Sequence, residues 1–366
     1  MAKIVFLSTT VDMGGAETLL LNMVEALRGE HEISVLYFKG KGTLLPNFRD
    51  LGNEPRKLSL KTLLELMAEL RRNNETILQG WMYHGNLLAS LIHLLSGKRG
   101  RLVWGVHHSA RAYVSGSIFG GVRLRLTSLF ARLPEKIVYV SEQVRQEHID
   151  FGYPEGNASV IHNGIDPKSF VFNPESRLNL RLELGIGVDD PVLGAVGRYH
   201  PIKDYRTFFR AAAKLLAVHP SLHVVVVGRD LELGSFTNQF KGLRETDLRR
   251  IHLLGERQDV PQILCAMDVF ALSSLSESFS LALIEALATA RCCVCTDVIF
   301  FQDFFPEALR TFKPYDAEGM AGQVEYFLGL PDSERAKRGR DARAGVEANF
   351  TLDLTIKRYL TLWGLS

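Results

Sequence analysis

The chain has 366 residues, too many for one ordinary core and about right for two domains. Hydrophobic residues make up 46% and charged residues 23%, as in an ordinary globular protein. The net charge of +2 excludes a surface built to coat nucleic acid in general.

Met1 to Leu7 carries no basic region followed by a long apolar one, so no secretory signal is expected. KIVFLST (Lys3 to Thr9) is an apolar run of strand length. A glycine-containing loop follows, then Ala16 to Arg28 with Leu20, Met23, Val24 and Leu27 at helical spacing. EISVLYF, TILQGWM, RLVWGVH and KIVYVS supply further strands, each followed by a polar or helical segment. Leu87 to Leu95 is the longest apolar run. It falls short of the roughly 18 residues a membrane span needs, and it contains His93.

The pattern restarts after a polar stretch. PVLGAVGRY (Pro191 to Tyr199) reads as a strand, Tyr205 to Val218 as a helix, and HVVVVG as a continuous apolar strand. IHLLGE, DVFALSS and CCVCTDV continue the series. Cys292, Cys293 and Cys295 crowd one buried strand, and with Cys265 they show no paired CxxC spacing. Free core thiols and a reducing compartment are expected. Strands alternating with helices imply parallel sheets covered on both faces. The expected fold is α/β, with two doubly wound Rossmann-like domains facing each other across a cleft. The expected limits are 1–167 for the first domain, 168–188 for a linker and 189–345 for the second domain. Residues 346–366 form a C-terminal helix packing back toward the first.

Ligands of open α/β sheets bind beyond the carboxyl ends of the strands, and the polar residues of interest fall there. Arg198 ends the first strand of the second domain, and Lys203 begins the next helix. Together they can neutralise a diphosphate, the arginine as a bidentate fork and the lysine as a point charge. Glu277 lies in the loop after DVFALS, and Glu285 follows eight positions later beside Ile284, Leu287 and Ala288. A carboxylate on an apolar helix face needs a hydrogen-bonding partner such as ribose hydroxyls. Glu277, nearer the strand end, can bind sugar hydroxyls.

GGAE (Gly14 to Glu17), NGID (Asn163 to Asp166), GRYHPIKDY (Gly197 to Tyr205) and the Glu277-x7-Glu285 spacing occur in that order. In this the chain resembles the retaining, GT-B fold glycosyltransferases of family 4. WMYHGNLLA, WGVHHS and VSEQVRQEH are similar to bacterial members that assemble polysaccharides or lipid-linked glycans. The resemblance implies a metal-independent hexosyltransferase with no cofactor. Its partners are a UDP- or GDP-linked sugar donor and a glycan or lipid-linked acceptor. By the same resemblance, Arg198 and Lys203 bind the donor diphosphate and stabilise the departing nucleotide. Glu285 holds the ribose, Glu277 contacts the donor sugar, and Gly15 lets backbone amides approach the phosphate. His107 stands beside the reacting sugar, ahead of His108 in strand position. No DxD-like strand-end motif appears, since Asp189-Asp190 precedes a strand.

Two departures concern the sugar end of the site. Ser278 stands where the family usually has glycine, and Ile299 to Phe305 (IFFQDFF) replaces small residues. The phenylalanines can narrow the donor pocket, face an apolar acceptor or pack. A nicotinamide-dependent oxidoreductase suits alternating α/β halves, but no G-x-G-x-x-G follows the first strand. A degenerate, non-catalytic sugar-nucleotide binder suits the two departures.

From Thr76 to Pro134 there is no Asp or Glu, while Lys98, Arg99, Arg101, Arg111, Arg123, Arg125 and Arg132 give this stretch a charge of +7. Ile118 to Arg132 reads as amphipathic, with Phe119, Val122, Leu126, Leu129 and Phe130 on one face and Arg125 and Arg132 on another. Such a segment can lie on an anionic leaflet or pack on the core with solvated arginines. The expected location is cytoplasmic, peripheral at the inner face of the membrane, with no nucleic-acid partner.

Overall fold

Ile4 to Leu7 are buried whichever way their side chains point, because the first strand is central in a parallel sheet covered on both faces. The computed structural model describes residues 1–115 and 119–365. These form two units, Met1–Gly164 with Leu352 onward, and Ile165–Thr351.

The first unit holds β1 (Lys3–Ser8), β2 (Glu32–Tyr37), β3 (Arg56–Lys57), β4 (Ile77–Trp81), β5 (Arg101–Val106), β6 (Lys136–Tyr139) and β7 (Ala158–Val160). They form a seven-stranded parallel sheet in the order β3-β2-β1-β4-β5-β6-β7. The second unit holds β8 (Val192–Val196), β9 (His223–Val227), β10 (Ile251–Leu253), β11 (Val269–Leu272), β12 (Cys292–Thr296) and β13 (Leu309–Phe312). Its parallel sheet runs β10-β9-β8-β11-β12-β13. In each unit the chain winds outward from its first strand, then returns to that strand's other side. The strand order therefore reverses between β1 and β4, and again between β8 and β11.

The two-period of the strands accounts for the apolar runs in the second unit. Val225, Phe270, Leu272, Cys293 and Cys295 enter one core cluster, whereas Val224, Val226, Val269, Ala271, Cys292 and Val294 enter another. With a helical layer on each side, a polar side chain on a central strand would be desolvated. All four cysteines are buried free thiols.

The structure differs from the expected linker. Helix Pro174–Glu183, within 168–188, packs on helix Val260–Ala266 inside the second unit. Its charges are internal. Arg181 is almost fully buried, donating to the Ala266, Gly187, Val188 and Asp190 carbonyls and pairing with Asp268 at 2.8 Å. Arg177 holds the other oxygen of Asp268. The second boundary also shifts. Helix Asp332–Asn349 ends in the second unit with Val346 and Phe350 buried in its core. Only Leu352–Trp363 joins the first unit, burying Ile356, Tyr359 and Trp363.

Most of the IFFQDFF aromatics pack. Phe301 and Phe305 are buried against Phe350, and Phe301 meets Phe279 edge-on at 5.0 Å. Phe300 remains exposed and Phe304 partly so. In the first unit, helix Gly120–Phe130 turns Leu124 and Ser128 inward. Phe130 is half-buried, while Phe119, Val122, Leu126 and Leu129 face solvent. Ile118 lies outside the described residues. Among the described residues, no helix is long and apolar enough to cross a membrane.

Candidate active site

In an open parallel sheet, the point where strand order reverses leaves a crevice between adjacent strand ends. In the second unit the strands at that point are β8 and β11. The loop after β8 carries Arg198 and Lys203, and the loop after β11 carries Glu277. Residues 74 positions apart therefore meet, and Lys203 Nζ donates to Glu277 Oε1 at 2.6 Å. Ser274 Oγ donates to the same oxygen at 2.7 Å. The loops are also tied through their backbones. The Leu275 amide donates to the Ile202 carbonyl at 2.7 Å, and Ser273 Oγ lies 2.9 Å from the carbonyl oxygens of both Lys203 and Asp204.

Local chemistry fixes the entry to helix Tyr205–Val218. Asp204 adopts a left-handed conformation (φ 44°), which aspartate tolerates better than most residues. Its carboxylate accepts from the Thr207 amide and hydroxyl. Tyr205 donates its phenol to the Gly197 carbonyl at 2.6 Å, which holds the strand end next to Arg198. Arg198 is exposed and, among the described residues, makes no ion pair. Gly228, at the end of β9, matters for the same strand end. A Cβ there would lie 1.8 Å from the Gly197 carbonyl oxygen.

Glu285 sits on the first two turns of helix Leu281–Ala288, between buried Ile284 and Ala286. Its carboxylate has no hydrogen-bond or ion-pair partner among the described residues. Burial pushes its carboxyl up to about 7. At the same helix start, the buried Ser280 hydroxyl also lacks a partner among the described residues. The sequence reading missed Ser280. The available signal was a serine at the N-cap position after a strand-end loop, whose usual capping bond is not made here. An unpaired buried hydroxyl at a helix N-terminus suits an anionic ligand.

The first unit has its reversal between β1 and β4. Gly15 is exposed and opens helix Gly15–Leu27, directly after extended Gly14. Glu17 in the same turn is buried, and that burial raises its carboxyl. Trp81 ends β4, and the next residue, Met82, is left-handed (φ 68°), an uncommon state for an unbranched apolar side chain. His107 follows β5, buried against the Trp81 indole with ring centroids 4.1 Å apart. Neither ring nitrogen has a partner among the described residues. Burial holds the imidazole down at about 3, so it is neutral at ordinary pH. His108, by contrast, is exposed. Arg198, Lys203, Glu277 and Glu285 thus share one unit, while Gly15 and His107 belong to the other.

The fold and the charged strand-end loops define a class of protein built from two open parallel α/β units. Residues 13–169 match the family model described as Glycosyltransferase Family 4. Residues 190–329 match the one described as Glycosyl transferases group 1. Between them the two models cover most of the chain, which belongs to the family 4 glycosyltransferases. A phosphatidyl-myo-inositol mannosyltransferase from Mycolicibacterium smegmatis is 26% identical over 90% of this chain and 84% of its own length. An Escherichia coli UDP-Gal:α-D-GlcNAc-diphosphoundecaprenol α-1,3-galactosyltransferase is 34% identical over 38% of this chain, which is 36% of the relative. A Bacillus anthracis N-acetyl-α-D-glucosaminyl L-malate synthase is matched over 58% of its length. These alignments thus span less than two thirds of those last two proteins. Among solved structures, Anabaena Alr3699/HepE in complex with UDP and glucose shares 20% identity. It superimposes with a TM-score of 0.80 over 100% of both chains. That likeness shows the GT-B fold.

Proposed function

We propose that the protein transfers a hexose from a UDP- or GDP-linked donor to a glycan or lipid-linked acceptor, with retention, and that it works against a membrane surface. The observation that carries the reading is the Lys203–Glu277 pair, which ties the loop after β8 to the loop after β11. Arg198 lies on the first of those loops, and Glu285, unpartnered among the described residues, on the helix that follows the second. Each part matches one part of a nucleotide sugar. Arg198 and Lys203 face the diphosphate, Glu285 accepts from the ribose hydroxyls, and Glu277 accepts from hydroxyls of the sugar. Ser280 and the first amides of its helix offer donors to phosphate oxygens. Gly15 leaves room for backbone amides on the acceptor-side unit, and neutral His107 offers a ring nitrogen to the sugar.

As the glycosidic bond breaks, negative charge grows on the leaving β-phosphate. A cation already held in position meets that charge without reorganising, and such preorganisation is commonly the largest electrostatic contribution to rate. Lys203 is held by Glu277, and Glu277 by Ser274, so the ammonium is aimed before the donor arrives. Neutralisation by side chains supports a metal-independent transfer. Attack from the face the leaving group vacates accounts for retention. UDP is the first nucleotide to test, since the Anabaena neighbour was solved with UDP and with UDP-glucose.

The experiment is nucleotide release from UDP-glucose, UDP-galactose, UDP-N-acetylglucosamine and GDP-mannose, alongside direct binding of UDP, GDP and NAD. Release from at least one donor is expected. Lys203→Ala should lower turnover about 10²–10³-fold with a smaller change in donor affinity. Binding of NAD without any sugar nucleotide would sink the reading in favour of an oxidoreductase. Binding of UDP with no turnover from any donor would leave a non-catalytic binder.

A further inference from the structure

Helix Gly120–Phe130 is apolar on the wrong side for a simple core-packed helix. Leu124 and Ser128 already supply its inward face. Its large residues on the other side are Phe119 at 63% exposure, Val122 at 59%, Leu126 at 57% and Leu129 at 68%. At offsets of three, seven and ten residues from Phe119, these four recur at helical spacing and line one outward stripe. A single exposed leucine is ordinary, but four large ones in a row on one helix face are a binding surface.

The surroundings identify the occupant. Helix Met82–Leu95 packs on this helix and ends with Leu91, Leu94 and Leu95 exposed. Lys98, Arg99, Arg123, Arg125 and Arg132 are exposed as well, and among the described residues they make no ion pair. The whole stretch from Thr76 to Pro134 contains no acid. A second copy docking through the same face would bring like charges together. An anionic bilayer offers the complement, with hydrocarbon for the stripe and headgroup charge for guanidinium groups whose stems can snorkel.

We propose that the face made by Phe119, Val122, Leu126 and Leu129, flanked by Arg123 and Arg125, docks the protein on an anionic lipid leaflet. The helix lies in the interface plane with its stripe among the upper acyl chains, and the arginines stay at headgroup level. This face names the partner for the proposed membrane site of action and rests on that reading for its purpose. Nucleotide binding in the second unit is independent of it.

The test is flotation of the full chain with vesicles of phosphatidylglycerol and phosphatidylcholine, and with phosphatidylcholine alone, at low and high salt. Co-flotation with the anionic vesicles only, weakened by salt, is expected. Leu126→Glu with Leu129→Glu should reduce partitioning at least about tenfold. Arg123→Gln with Arg125→Gln should lower it and flatten its salt dependence. These positions are exposed, so the variants should keep the wild-type melting temperature and UDP affinity, which separates this proposal from the enzymatic one. Three results would each overturn it: no flotation at low salt, equal flotation with zwitterionic vesicles, or unchanged flotation of the leucine variant. A concentration-dependent dimer abolished by the leucine variant, without vesicle binding, would overturn it in favour of a second copy.

Discussion

The Glu285 carboxyl gives the donor site a pH dependence that can be worked through. Burial raises it from 4.5 to about 7, so in the empty protein a neutral form dominates below pH 7 and a carboxylate above. Ribose hydroxyls donate to the carboxylate. Apparent affinity therefore scales with the fraction of protein in which the group is ionised. With a midpoint near 7 that fraction is roughly 0.1 at pH 6 and roughly 0.9 at pH 8, so apparent affinity should improve about tenfold over that span. The sign for stability is opposite. The unfolded chain ionises this group from about pH 4.5 upward and the folded chain only from about 7. Its effect on folding is absent below the lower value and destabilising across the window, in full above the upper one. The assay is calorimetric titration with UDP-glucose, whose bridging diphosphate does not titrate in this range, for the wild type and Glu285→Gln. The variant should bind more weakly, lose most of the pH dependence and unfold at higher temperature than the wild type at pH 8. Equal wild-type affinity at pH 6 and pH 8, or a tenfold change retained in the variant, would refute the argument.

Gly228→Ala should destabilise the protein by about 1–3 kcal/mol, because its Cβ would meet the Gly197 carbonyl at 1.8 Å. The same displacement should weaken UDP binding through Arg198, and both effects are measurable by thermal unfolding with and without UDP. Arg181→Ala should cost about 3–5 kcal/mol by leaving Asp268 short of a buried partner, with a clear loss in chemical denaturation and little change in donor affinity for protein that remains folded.

Much of the fold was legible because most strands are short apolar runs and helices such as Tyr205–Val218 carry a 3.6-residue apolar stripe. Tyr205 to Val218 reads as a helix from its pattern and is one in the structure. The segment 168–188 was misread because arginines usually signal solvent. Arg177 and Arg181 instead turn inward to the carbonyls that end helix Val260–Ala266, a use that no local pattern reveals. The outward apolar stripe of Gly120–Phe130 was visible as periodicity, but periodicity does not say which face meets the core.

The sequence by itself determined that the chain alternates strand and helix twice over, and that Glu277 and Glu285 follow one strand as Arg198 and Lys203 follow another. Those are local properties, set by side-chain period and chain order. Only the tertiary structure decided that β8 and β11 lie side by side, which joins Lys203 to Glu277 across 74 residues. It also decided that Glu285 and His107 are desolvated without partners among the described residues, and that four large apolar residues face outward. Strand order, burial and exposure depend on what the rest of the chain packs against, and no segment carries that information alone.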